Sequence, residues 1–340
     1  MAARLGVDHQ RLQQFITSST WDYAAVRRNV ARWFAASQPV EALVNEHASC
    51  AADWRLFCPA GWDDDAAPDE VAAAAIRRRR QRAGIPDDVR HTEKWRLALE
   101  MIEEMTGPGG WGVLEQITAA GRAHPVAAAD AGYGDNTGFR LELAARGWRY
   151  VVAVKGTTSA YAADAQPVTP ARGSGPGRPR KPAYPAPAVN LRQLAIAHAG
   201  QIRQVTWRQG TKATKGNPDA SMTSHFLAIR VRPANRDIPR AADGSLPDCW
   251  LLAEWPPHAD EPTDYWLSNL PAGTPISDLV RLAKIRWRIE HDYRELKTGL
   301  GLDHFEGRSF TGWHRHVTLA VLAQAFITMI RTDPKADAPG

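Results

Sequence analysis

Lys284–Ser309 reads KIRWRIEHDYRELKTGLGLDHFEGRS. Thr274 stands before Pro275, and Pro at the first position of a helix forfeits no needed N–H. Leu279, Leu282, Ile289, Leu296 and Leu300 then recur at helical spacing. The pattern predicts one long helix with a buried stripe, ended by Gly299 and Gly301. At about 100° per residue, Arg286, Glu290, Tyr293 and Lys297 fall within roughly 60° of one another beside that stripe. Glu295 falls on the opposite, solvated face. A carboxylate between Arg and Lys at the border of a core suits a hard cation, with the bases on phosphates. On spacing alone, an exposed i,i+4 charge ladder accounts for the same residues.

Arg286-x3-Glu290-x6-Lys297 resembles the Y-x2-R-x3-E-x6-K signature of bacterial insertion-sequence DDE transposases. Ala283 takes the place of the signature Tyr, and Tyr293 faces the same side. The following GLDHFEGRSFTGWHRH is similar to the segment after the catalytic Glu in an actinobacterial branch of those enzymes. This resemblance decides for a site over a ladder.

Upstream, PVAAAD (Pro125–Asp130) is a short apolar run ending in an acid. An acid at the C-terminal edge of a buried parallel strand lies where α/β sheets hold ligands, although a turn-forming Asp is common too. DAGYGDNTGFRLELAARGWRYVVAVKG resembles the segment that carries the second catalytic Asp of the same branch. The resemblance implies that Asp130 and Glu290 are catalytic and metal-binding. It implies Mg²⁺, with Mn²⁺ as a substitute. Arg286, Tyr293, Lys297 and Lys155, at the tip of a strand over Tyr150–Val154, are then assigned to DNA phosphates. Asp135 reads as the cap of a helix over Thr137–Arg146.

The first catalytic Asp has no counterpart. DWRLFCP (Asp53–Pro59) resembles the family's third core strand, with a strand expected over Asp53–Phe57. Two strands and a glycine turn should precede it. Only eight residues separate Val44 from Asp53, too few for a hairpin of strands of about five residues each. A block carrying the first Asp is therefore inferred to be missing. Glu41–Val44 reads as a stub of the first strand, and Asn45 or Glu46 as lying near the break. The expected fold class is α/β: a ribonuclease H-like core, incomplete because its first two strands are missing, with an N-terminal helical region and a β-rich insertion. The expected boundaries are 1–38 for a helical DNA-binding region, 39–164 for the first part of the core, 165–273 for linker and insertion, and 274–340 for the part bearing the Glu helix.

The remaining sequence fits this outline. Residues 8–36 read as two helices. The first is capped by Asp8 with Leu12, Phe15 and Ile16 on one face; the second is capped by Ser19 or Thr20 with Trp21, Val26, Val30 and Trp33 inside and Arg27, Arg28 and Arg32 outside. Five of the six residues 77–82 are Arg, either a solvated helix face or a DNA-backbone contact. Thr92–Met105 is amphipathic. Ala165–Val189 holds seven prolines, four basic residues and no acid, and reads as an extended linker; its Gly177–Arg180 is similar to minor-groove Arg hooks. Gln201–Trp207, His225–Val231, Cys249–Glu254 and Tyr265–Ser268 read as strands, with Trp207, Trp250, Trp255 and Trp266 packing among them.

Composition bounds the function. The net charge of +5, from 42 basic and 37 acidic residues, is compatible with nucleic acid. Thirteen Trp is a high count; most read as core or strand residues, and any left exposed could stack on bases. Cys50, Cys58 and Cys249 form no C-x-x-C pair, so neither a zinc ribbon nor a disulfide framework is suggested, and a reducing cytoplasm fits. The longest apolar run, Val317–Ile330, has 14 residues and reads as a buried helix, so no membrane partner is expected. The resemblance implies double-stranded DNA as partner, namely terminal inverted repeats and target DNA, bound by a homodimer. A DNA-binding repressor without catalysis, or a remnant that folds poorly, is the alternative that the missing block leaves open.

Overall fold

A computed structural model describes residues 14–15, 19–37, 48–170, 181–210, 213–214 and 216–332. In chain order, helices α1 (Tyr23–Ser37), α2 (Glu70–Ala83), α3 (Lys94–Thr106) and α4 (Val113–Ala119) precede β1 (Val126–Ala129). The short helix α5 (Ala131–Gly134), α6 (Thr137–Ala145), β2 (Arg149–Val154), β3 (Ser159–Ala162), β4 (Val189–Asn190) and α7 (Leu191–Ala197) follow. Then come β5 (Arg203–Gln209), β6 (Ser221–Pro233), β7 (Cys249–Glu254), β8 (Asp264–Ser268), α8 (Ile276–Lys284), α9 (Trp287–Arg294) and α10 (Phe310–Thr332). The chain divides into two compact units, 125–286 and the remainder, 1–124 with 287–340.

The 125–286 unit is a mixed, mostly antiparallel sheet in the order β1-β2-β8-β7-β6-β3-β4, with β5 also paired to β6. β1 and β2 are parallel, Val126 opposite Arg149 and Ala129 opposite Val152. β8 pairs directly with β2, so the β-rich segment continues the same sheet. Both faces are covered, which is why the strands read as near-continuous apolar runs. On one face Val154, Leu227, Leu251 and Leu267 pack with Leu191 and Leu194 of α7. On the other, Val151, Phe226, Leu252 and Trp266 pack with Leu279, Val280 and Ala283 of α8. Lys284 closes this second layer: its Nζ lies 2.6 Å from Glu254 Oε2 and 4.9 Å from the centre of the Trp207 ring.

Several expectations change here. Pro275 is the N-cap of α8 and not its first residue. The predicted single helix is broken at Ile285–Arg286, where the chain passes from one unit to the other, and Glu295–Gly299 widens into a π-helical turn. Gly301 does end the run, at φ 69°, a conformation that favours glycine. Residues 165–170 and 181–189 are not a bare linker. Val168 and Ala183 exchange two backbone hydrogen bonds (2.8 and 3.1 Å), and Tyr184 stacks on Tyr161 at 3.9 Å. The hook Gly177–Arg180 lies outside the described residues, as do Asp8, Leu12, Ile16, Glu41–Val44, Asn45 and Glu46.

In the other unit, α1 and α10 share a core of Val30, Phe34, Cys50, Val317, Val321 and Ala325. Asp22 caps α1, its carboxylate accepting from the N–H of Ala24 and Ala25 at 2.9 and 3.0 Å, in place of Ser19 or Thr20. Trp33 is exposed, whereas Arg27 is buried: Nη1 donates to Trp54 O at 2.6 Å and Nε lies 2.9 Å from Asp53. Arg28 and Arg32 remain outside. Residues 50–59 form no strand, because side chains such as Arg27 take up backbone groups that a ladder would need. Within the arginine run, Arg80 is buried and donates to the carbonyls of Trp62, Pro86 and Val89 at 2.8–2.9 Å, so it is structural and not a DNA contact. Among the described residues no helix is long and apolar enough to cross a membrane.

Gly134 gives a direct check on the β1–α5–β2 packing. A Cβ there would overlap the carbonyl oxygen of Ala153. Gly134→Ala is expected to lose about 1–3 kcal/mol in urea denaturation, the usual effect of overpacking; wild-type stability would show that α5 does not sit against β2.

Candidate active site

Asp130 follows the last residue of β1 and is itself extended, with φ −80° and ψ 177°. The chain turns at once into α5, where the N–H groups of Tyr133 and Gly134 return to Asp130 O at 3.1 and 2.7 Å. Gly134 lets that turn lie on β2, and the Asp130 side chain is left at the strand end. Its Oδ2 lies 3.7 Å from Arg286 Nη2. Its Oδ1 is buried and has no hydrogen-bond partner among the described residues. A Cβ on Gly132 would come within 3.0 Å of that oxygen, so a larger residue there would crowd the carboxylate. A hard carboxylate oxygen without a hydrogen-bond partner is the donor type that Mg²⁺ takes.

Asp135 does not cap α6; Asn136 does, accepting from Phe139 N–H at 3.1 Å. Asp135 instead accepts from the backbone N–H of Lys155 at 2.7 Å and lies 3.4 Å from its Nζ. This ties the end of β2 to the loop after α5 and leaves the Lys155 side chain exposed.

The other predicted residues lie in the second unit. Glu290, Tyr293 and Lys297 are exposed along α9 and the π turn. Lys297 Nζ is 5.7 Å from the Tyr293 ring, which packs edge-on against Trp54 at 5.4 Å. The structure therefore brings Asp130 together with Arg286 in one unit, and Tyr293 with Lys297 in the other, where Glu290 shares their exposure. Glu295 is not solvated as expected: it pairs with Arg331 at 2.6 Å and is mostly buried. Sequence reasoning missed Asp292, which is buried, lies 3.7 Å from Arg288 and is hydrogen-bonded to Ser49. Burial raises its carboxyl above the usual range. His291, Asp292 and Glu295 bring ligand atoms within 4.8 Å of one another, although Asp292 and Glu295 are already engaged by Arg288 and Arg331.

A buried ionic group stands behind this surface. Asp53 lies between Arg27 and Arg55, at 2.9 and 3.8 Å. Burial outweighs both and pushes its carboxyl up to about 6. His314, stacked on Tyr23 at 5.0 Å, is pushed down to about 4 by burial and by the same two arginines.

A family model described as DDE superfamily endonuclease matches residues 36–214 of the 340. The chain belongs to the DDE superfamily endonucleases. The match includes Asp130 and ends before Glu290. Enzymes of this family act on DNA and use divalent metal ions, commonly Mg²⁺. No curated protein matches the chain significantly.

Asp53 and His314 pull stability in opposite directions with pH. The raised pKa of Asp53 contributes stability that is present below its ordinary value of 3.8 and lost as pH rises through about 6. The lowered pKa of His314 contributes stability that is present above 6.5 and lost as pH falls through about 4. In His314→Phe, urea midpoints are expected to fall between about pH 4 and pH 6; in Asp53→Asn they are expected to rise over the same window. Slopes of the same sign in both variants would rule out this assignment.

Proposed function

We propose that the chain is an insertion-sequence DDE transposase of the actinobacterial, Y-x2-R-x3-E-x6-K type, whose catalytic set is incomplete. It acts in the cytoplasm as a homodimer on terminal inverted repeats and target DNA. The observation that carries this reading is Asp130: a strand-end carboxylate with one oxygen 3.7 Å from Arg286 and the other buried without a partner among the described residues. Asp130 and Glu290 would hold Mg²⁺, or Mn²⁺ in its place. A divalent cation supplies charge stabilisation and an acidified water for phosphoryl transfer. Arg286, Tyr293, Lys297 and Lys155 would hold the phosphates flanking the scissile bond, Arg286 by its forked donors and the lysines as point charges.

The incompleteness rests on two observations. Only eight residues lie between Val44 and Asp53. β1 stands at the end of its sheet, paired only with β2 among the described strands, on the side where the family's first strand would lie. Paired metals about 4 Å apart need a bridging carboxylate, and two acids do not supply three corners.

End binding does not depend on those carboxylates, which favours a second reading as a non-catalytic DNA-binding protein. Arg28 and Arg32 are exposed on α1 and suited to the DNA backbone.

Purified protein with Mg²⁺ or Mn²⁺ and its own transposon ends is expected to bind those ends and to show little strand cleavage or transfer. Asp130→Ala should leave end binding intact and weaken Mn²⁺ binding measured by calorimetry. Robust strand transfer that Asp130→Ala abolishes would refute the incompleteness. Separately, Arg28→Ala and Arg32→Ala should each reduce the salt dependence of end binding by about one unit of slope; an unchanged slope would remove α1 from the interface.

A further inference from the structure

The unit formed by 1–124 and 287–340 carries a groove that this chemistry does not use. It has a volume of about 340 Å³ and lies between residues 56–62, the end of α2 with residues 85–89, and residues 305–313. That is at the lower end of the range for small-molecule pockets, about 300–1,000 Å³. Its walls are aromatic. Phe57, Trp62, Phe305, Phe310 and Trp313 all line it, and all are only half-buried. The Phe305 ring is seated where it is because Gly307 carries no side chain: a Cβ there would overlap the ring, and one on Gly312 would come within 3.3 Å of it.

Cations stand against these rings. The Arg79 guanidinium is 4.3 Å from the centre of the Trp62 ring, and Lys94 Nζ is 5.0 Å from that of Phe57. Both side chains are exposed. Arg308 is exposed and is the one charged residue among those lining the groove. Among the described residues no carboxylate lines it, so a cationic ligand finds no counter-charge from them. A wholly apolar ligand would gain nothing from the three bases. Flat aromatic walls with a basic rim are complementary to a flat ring that carries a negative charge beside it. Bases stack on aromatic side chains with little regard to sequence, while basic residues follow the backbone.

The geometry points to a pocket for one unpaired nucleotide of a DNA strand, its base against the aromatic walls and its phosphate on Arg308, Arg79 and Lys94. This inference rests on the DNA-acting reading above and deepens it. The pocket takes a nucleotide that has left the duplex, because a groove of this volume admits one base and not a helix. It is built from residues distinct from Asp130 and Glu290, so it serves strand capture and not the chemical step.

The test uses the full chain and a short single strand containing 5-iodo-deoxyuridine, cross-linked by light and mapped by mass spectrometry. Cross-links are expected on residues 56–62 and 305–313. Arg308→Glu, an exposed change, should weaken single-strand binding about tenfold and leave duplex end binding near wild type. Phe310→Ala should weaken single-strand binding by a similar factor through lost stacking. Duplex binding with cross-links elsewhere, or with no effect of Arg308→Glu, overturns the pocket and leaves the DNA-end reading standing. Groove cross-links in a protein that does not distinguish transposon ends support the pocket and count against that reading. Absence of binding to either form of DNA overturns both. A dimer that Arg308→Glu dissociates, without groove cross-links, makes the groove an interface between copies and overturns the pocket.

Discussion

The parallel pairing of β1 with β2 is the constraint on which the site depends. Four residues of β1 are held in register against Arg149–Val152. The chain must then reverse within one short helix to return along α6 to β2. That reversal is possible because α5 presents Gly134 to the carbonyl of Ala153, where any side chain would overlap. Asp130 occupies the junction, so strand register, helix approach and carboxylate position form one geometric statement. Asp135 adds a tether from the same turn to the backbone of Lys155.

The rest of the unit explains how a four-residue strand can be held so closely. β2 is buried on both faces, between the α7 layer and the α8 layer. β8 fixes its other edge, Val151 opposite Ser268 and Val154 opposite Tyr265. The β-rich segment is thus a mechanical part of the site's support. The Lys284–Glu254 pair anchors the last turn of α8, two residues before Arg286. A buried ion pair of this kind costs desolvation, and its contribution is better understood as fixing one arrangement than as adding stability.

What the sequence made legible follows from the physics of each element. Strands β5 to β8 were readable because β-branched and aromatic residues cluster in them, and β7 was placed at its observed limits. β3 and β4 are four and two residues long, too short to leave a period. The charged residues were the least legible. Arg27 and Arg80 look like members of exposed runs, yet each turns inward to backbone carbonyls left without a ladder or helix partner. Arg28, Arg78 and Arg82, of the same type and in the same runs, stay outside. Helical phase separates such residues only if the helix is regular, and the π turn at Glu295–Gly299 shows how the phase fails. The break at Ile285–Arg286 resets the phase before Glu295 is reached, and Glu295 meets Arg331 in place of solvent.

Under the proposed reading, Arg286 would compete with a cation for the Asp130 carboxylate. A guanidinium 3.7 Å from Oδ2 partly neutralises the acid before any metal arrives. Both side chains are half-exposed, so solvent screens the pair and its attraction is modest, about 0–1 kcal/mol. On this reading, Asp130 would hold a divalent cation against the repulsion of that guanidinium, and a second carboxylate sharing the ion would ease it. Under the proposed reading, a phosphate would draw Arg286 away from Asp130 and lower that repulsion, so DNA and metal would bind cooperatively. On that reading, with only two acids in place, occupancy by metal would depend on DNA being present, and DNA binding would outlast metal binding.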